Sequence, residues 1–371
     1  MNTTHAEPTL RGRQSARPLI CVALFFSILV APSRANRGVP QNAVAPFVAT
    51  IVLPPTLVAG HPATLAALDS EGKLLSGVTI EVGAPSGLGG QRQEIQRVTT
   101  DATGRALFTA STQAAIVIAR AGGVSAAALV GPSAVSSGNR DLQVAPVISQ
   151  RDRFSIRGGE FHGDAESDRV QINGDPALVL AASPTCLVVL PGANARPGPV
   201  NITIQSAAAR WNAATTLVAL TVDATNPPLA PLKKSSFTVR VQGSDQPLAI
   251  VVGNKSPGVL RFRRGDVQYL KTTGGVSNVA SVQLQAMRSG DFTFQARLVP
   301  PADLAAAQRY LSAAAQLAAR DERGKILSLG DRLVHHPNDA VKVKDELDRM
   351  LVSMPQGDSR TLLEAARARI E

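Results

Sequence analysis

The sequence predicts a mainly β protein: tandem β-sandwiches, a third β-domain and a small α-helical C-terminal region. Three observations carry this. Short runs with alternating apolar and polar residues recur from Phe47 to Leu298, separated by Gly, Pro, Asp and Asn. Hydrophobic residues make up 44% of the 371-residue chain but aromatics only 4%, so the cores must be built from Val, Ile, Leu and Ala. After residue 300 the apolar spacing changes from the two-residue period of strands to the 3.6-residue period of helices.

The first 35 residues read as an address. Arg11, Arg13 and Arg17 precede the apolar run Leu19–Ala31, which ends at Pro32 and Ser33-Arg34-Ala35. A basic region, a short apolar run and a small-x-small end predict a secretory signal peptide over 1–35. The run falls short of the roughly 20 residues a spanning helix needs, so the mature chain is expected to have no transmembrane span. Cys21 opens the apolar run instead of closing it, which argues against lipidation. Cleavage after Ala35 would leave Cys186 as the single cysteine, in the apolar run TCLVVL, where a buried core thiol is expected.

Residues 47–131 hold seven strand candidates, the number of a small two-sheet sandwich. Two tight turns share one pattern, Asp69-Ser-Glu-Gly72 and Asp101-Ala-Thr-Gly104. Asp at the first position can bond back to the backbone, and Gly supplies the last. Both glycines are expected to occupy demanding geometry, and Gly122 and Gly123 less so. The elements ALDSEGKLLSGVTIEV and TTDATGRALFTAST make this region resemble the bacterial immunoglobulin-like domains of the invasin and intimin type. The resemblance implies an Ig-like sandwich and no site.

A polar linker at 132–144 leads to a second unit at 145–221. Ile156, Gly158, Phe161, Pro191, Gly198, Val200 and Ile202 stand where IPT/TIG-type Ig-like domains carry their pattern. The loop before this unit's Ile-x-Gly strand is cut to Ser149-Gln-Arg-Asp152, which predicts a short or displaced first strand. The resemblance implies a second Ig-like fold. Asn226-Pro-Pro228 to Pro231 predicts a rigid linker. Residues 233–299 form a third β-domain of no recognised family, with Phe237, Val239 and Val241 alternating with Thr238, Arg240 and Gln242. Residues 301–371 predict four short helices broken at Gly324, Pro337 and Pro355, with Asn338, Asp358 and Ser359 as N-caps.

Charge is unevenly distributed. The formal net charge of +10 falls to +7 without residues 1–35, which hold four basic and one acidic residue. Residues 36–232 balance 13 basic against 13 acidic, and residues 300–371 balance 11 against 11. The excess therefore lies in 233–299, with ten basic residues against Asp245, Asp266 and Asp291. In VLRFRRGDVQYLK, strand alternation turns Leu260 and Phe262 inward and Arg261 and Arg263 outward together. Arg261, Arg263 and Arg264 are the candidate anion-binding residues, with an acidic polysaccharide or another anionic cell-surface component as partner. A solvated face that keeps the protein soluble explains the same charges. Arg264-Gly-Asp266 spells an adhesion tripeptide but reads better as a hairpin turn.

No phosphate loop, zinc-protease, nucleophile-elbow, EF-hand or CxxC pattern occurs, so no catalytic residue, cofactor or metal is assigned. The acidic stretch Glu160–Asp168 around His162 lacks calcium-loop order, and Pro337 breaks the register that would join His335 and His336 to Asp331 and Asp339. The expected role is an exported, non-enzymatic binding or scaffold protein of the cell envelope or extracellular space. The alternative is an enzyme or accessory subunit with its site in 233–371. The export signal disfavours nucleic acid as a partner.

Overall fold

The computed structural model describes residues 47–86, 95–132, 142–206, 209–223, 234–263, 265–288, 290 and 292–370. The predicted signal peptide, the core of the 132–144 linker, the Pro-rich linker at 226–231 and Arg264 lie outside the described residues. The chain is mainly β, as tandem Ig-like sandwiches with a third β-module and C-terminal helices.

The first sandwich comprises β1 (Thr50–Val52), β2 (Thr56–Val58), β3 (Pro62–Leu68), β4 (Thr79–Gly83), β5 (Gln96–Thr99), β6 (Arg105–Thr109), β7 (Ile116–Ala121) and β8 (Val124–Gly131). One sheet runs β1-β3-β6 and the other β2-β8-β7-β4-β5. Leu57, Leu65, Ile80, Phe108 and Val117 fill the space between them. The two Asp-x-x-Gly turns have the same construction. Asp69 Oδ1 accepts from the N–H groups of Glu71 and Lys73, both at 2.9 Å. Asp101 Oδ1 accepts from Thr103 at 2.7 Å and Arg105 at 3.2 Å. Gly72 and Gly104 both take the left-handed backbone conformation. Gly122 and Gly123, expected to be undemanding, take it too, because the two-residue connection between β7 and β8 is a type I′ turn, which has positive φ at both positions.

The second sandwich comprises β9 (Gln143–Val144), β10 (Val147–Ser149), β11 (Phe154–Arg157), β12 (Asp168–Ile172), β13 (Asp175–Ser183), β14 (Cys186–Leu190), β15 (Gly198–Ser206) and β16 (Ala209–Asp223). Its first strands are short, and β10 lies parallel to β16. β13 belongs to both layers. Its first half pairs with β12, its second half with β14, and an irregularity at Val179/Ala181 marks the bend. Ile156, Ile172, Leu187, Ile202 and Ile204 form the core.

The first two sandwiches pack directly on each other. β3 is buried on both faces, so Leu65 enters its own core while Ala66 and Leu68 meet Leu180, Ala181 and Val188. Small side chains at Ala66 and Ala181 permit this close approach.

The third module comprises β17 (Lys234–Gln242), β18 (Ala249–Asn254), β19 (Leu260–Phe262), β20 (Val267–Lys271), β21 (Val279–Ala286) and β22 (Phe294–Leu298). One sheet runs β16-β17-β21-β19 and the other β20-β18-β22. Phe237, Phe262 and Phe294 cluster in the core, with the Phe237 and Phe294 ring centroids 4.2 Å apart. β16 is shared: Ala209–Leu217 pair with β15, and Ala219–Asp223 pair with β17. The second and third modules are thus joined by a continuous strand.

The helices are α1 (Leu304–Leu317), α2 (Arg320–His335), α3 (Ala340–Ser353) and α4 (Asp358–Ile370), with a 3₁₀ turn at Pro337–Asp339. The expected break at Gly324 does not occur. That glycine lies inside α2, where it costs about 1 kcal/mol, and the chain turns at Ala318–Ala319 instead. Asp303 caps α1 by accepting from Ala306 N–H at 3.1 Å. The helices bury Tyr310, Leu311, Leu329, Leu347 and Leu362 against Ile116, Ile118 and Leu129 of the first sandwich. The chain therefore returns from its third module to its first.

Candidate functional site: a basic sheet face

β19 is the free edge of the sheet β16-β17-β21-β19. Leu260 and Phe262 are buried in the core, and Arg261 and Arg263 are exposed. The alternation read from the sequence is present. Register places Arg261 opposite Gln285 of β21, and Gln285 opposite Lys234 of β17. Arg261 and Lys234 thus stand two strand spacings apart, about 10 Å, on one face. Arg263 lies just past the end of β19, in the turn, and is exposed. Lys234 was not singled out in the sequence because only the cross-strand register reveals it.

The rest of this face is polar and almost free of carboxylates. It carries Gln283, Gln285, Ser236, Ser281 and Thr238. Among the described residues, the one carboxylate that register puts on it is Asp223, which pairs with Arg240 at 3.1 Å. Arg240 lies six residues along β17 from Lys234, about 20 Å away. The three cations at the β19 end have no described acidic side chain facing them across the sheet. Arg264 lies outside the described residues.

The turn after Arg263 corrects one expectation. It links β19 in one sheet to β20 in the other, so it is a corner between layers and not a hairpin within one. Gly265 has φ +93° and bridges back to Phe262. Asp266 is held at the corner. Its carbonyl accepts from Asn254 N–H at 2.8 Å, and its Oδ1 lies 3.4 Å from Asn254 Nδ2.

The other sequence candidates resolve into local structure. Among the described residues, no three His, Cys, Asp or Glu side chains gather where a metal could be held. Asp164 Oδ1 accepts from Glu166 N–H at 3.0 Å, and Asp339 pairs with Lys342 at 2.7 Å. Cys186 is fully buried, and burial pushes its thiol up to about 11. Trp211 meets Phe161 edge-to-face at 5.5 Å.

An open cleft of about 400 Å³ lies between the β7–β8 turn and the start of α4. Four of its polar side chains, Arg120, Asp358, Ser125 and Thr361, pair with one another. Asp358 accepts from Arg120 Nε at 3.1 Å and from Ser86 N–H at 2.7 Å, and the Ser125 and Thr361 hydroxyls are 2.6 Å apart. The cleft is a joint between sheet and helices.

No family model and no curated protein matches the chain. Solved structures similar to it include surface layer protein SbsC, domains 1–6, at 13% identity, with 68% of this chain and 39% of that chain covered and a TM-score of 0.16. The I9–I11 tandem from titin matches at 10% identity over 67% of this chain and 94% of that one, with a TM-score of 0.20. A tetra-tandem repeat from the extending region of a large adhesion protein matches at 13% identity over 65% and 72%, with a TM-score of 0.17. The chain spans less than half the length of the surface-layer structure. At such scores these likenesses carry no argument about function.

Proposed function

We propose that this is an exported, non-enzymatic binding or scaffold protein of the cell envelope or extracellular space, which contacts an anionic polysaccharide through the outer face of β16-β17-β21-β19. The reading includes the signal peptide at 1–35 and the invasin-like and TIG-like character of the first two sandwiches. One observation carries the binding assignment: Lys234 and Arg261 share a polar face, with Arg263 exposed just past the end of β19, and among the described residues the one carboxylate that register puts on that face is paired with Arg240. Arg can grip a carboxylate or sulfate through two parallel hydrogen bonds. Charged residues on an edge strand also prevent unwanted strand pairing, and that role alone would need no ligand.

The test is retention of the whole chain on a heparin column across a salt gradient. An isolated third module would be a poor probe because β16 contributes a strand to its sheet. Arg261→Ser with Arg263→Ser should elute at clearly lower salt than the parent. A control pair on α2, Arg320→Ser with Lys325→Ser, removes the same charge from exposed positions outside this sheet and should shift elution less. Equal shifts would reduce the patch to a contribution to net charge.

A further inference from the structure

The acidic stretch at 160–168 holds no metal cluster, yet it contains an unresolved polar feature. Asp168 opens β12 and is 4% exposed. Its Oδ1 accepts from the backbone N–H of His162 at 3.2 Å, and its Oδ2 is buried with no hydrogen-bond partner. Ser206, also buried and opposite Asp168 in register, accepts from the same His162 N–H at 3.0 Å. The loop between His162 and Asp168 rests on the first sandwich beside the contact that β13 and β14 make with β3. Thr64 of β3 donates its hydroxyl to Gly163 O at 2.7 Å and accepts from Ala165 N–H at 3.0 Å. Gly163 lies so close that a Cβ there would fall 2.0 Å from Pro62 O. Arg105 of β6 adds a donor to Val179 O at 2.9 Å and comes within 3.9 Å of Glu166.

We propose that Asp168 is a proton-operated strut in the joint between the first two sandwiches: neutral, it holds the 161–167 loop against β3; ionised, it loosens that contact. An ionised carboxylate with one buried, unpartnered oxygen is costly, whereas a neutral acid carries far less of that cost. Burial raises the Asp168 carboxyl to about 6, opposed by the Ser206 hydroxyl, the His162 N–H and the His162 ring, and aided by Asp164. The charged groups facing it from its own loop are His162 and Asp164, while Arg105 from the first sandwich reaches the loop at Glu166. A raised closed-state value means closure is fully favoured below about pH 4 and weakens as pH rises through about 6. Linkage between an open-loop value of 3.8 and a closed value of about 6 gives an opening constant that rises about tenfold between pH 5 and 7.5.

Hydrogen–deuterium exchange of the whole chain, corrected for intrinsic pH effects, reads this directly. Protection of the 161–167 amides should fall about tenfold from pH 5 to 7.5. Asp168→Asn should abolish the pH dependence, and His162→Gln should keep it, separating the carboxyl from the imidazole. Constant protection in the parent, or an unchanged fall in Asp168→Asn, overturns the proposal. Should Asp168→Asn fail to fold, carboxyl-carbon titration of the parent decides. A midpoint above pH 5 for Asp168 upholds the strut, and one below overturns it.

Discussion

Gly72 and Gly104 offer a controlled comparison, because one turn pattern occurs twice in different surroundings. Their φ values are +82° and +76°, so an alanine at either pays the left-handed penalty of about 1–2 kcal/mol. Beyond that they diverge. A Cβ on Gly72 meets nothing within 4 Å. A Cβ on Gly104 would fall 2.6 Å from Leu74 Cβ and 2.9 Å from Leu75 N. Those atoms cannot rotate away. Leu75 N–H is committed to Ala67 O at 2.9 Å, and Ala67 N–H in turn donates to Gly104 O at 3.3 Å. The second turn thus stacks on the chain leaving the first. Forced overpacking of this kind adds about 1–3 kcal/mol, so Gly104→Ala should cost about 2–5 kcal/mol and Gly72→Ala about 1–2. Urea denaturation followed by circular dichroism measures the difference, provided the slope with denaturant is unchanged. Equal midpoints for the two variants would refute the reasoning, because shared φ strain alone would then explain both.

Two other outcomes test the helical clasp and the core thiol. Asp358→Ala removes the acceptor of Arg120 and Ser86, and should lower stability by about 2 kcal/mol; adding Arg120→Ala should cost less than the sum of the single changes, and strict additivity in that cycle would deny the coupling. Cys186, fully buried with its thiol raised to about 11, should resist a thiol reagent at pH 8 in the folded protein and react once urea unfolds it; labelling of the native chain within minutes would contradict its position.

Some of this architecture was written plainly in the sequence. Phe237, Val239 and Val241 alternate with Thr238, Arg240 and Gln242, and the structure buries the first set between two sheets. The two Asp-x-x-Gly turns were equally legible, because their geometry depends on five consecutive residues. The geometry of Gly122 and Gly123 was not legible in the same way, since what fixes their conformation is the two-residue spacing of β7 and β8 and not a local pattern. Lys234 was invisible as a partner of Arg261, because cross-strand register is nonlocal. The same holds for Asp168: its environment is assembled from β12, β15 and a loop, and no single stretch announces it.

The return of the helices to the first sandwich had one sequence signal. A strand exposed on one face should alternate, yet β7 reads IVIARA and is buried almost throughout. Val117 and Ala119 serve the sandwich core, while Ile116 and Ile118 face the other way, onto Tyr310 and its neighbours. An apolar outer face in a sandwich requires a second layer, and the Ala-rich α1 can approach closely enough to supply it. The helices then touch each β-module through a charged group: Asp358 with Arg120 of the first, Asp303 with Arg157 of the second at 3.0 Å, and Lys344 over the Tyr269 ring of the third at 4.6 Å. Together with the strand shared between the second and third modules, these contacts tie the sandwiches into a closed circuit. Loosening one joint must therefore be felt at the others, which is why Asp358→Ala should also raise amide exchange in β20, where Tyr269 sits, as well as in β7. Exchange changes confined to β7 and the start of α4 would show that the helices bind each module independently.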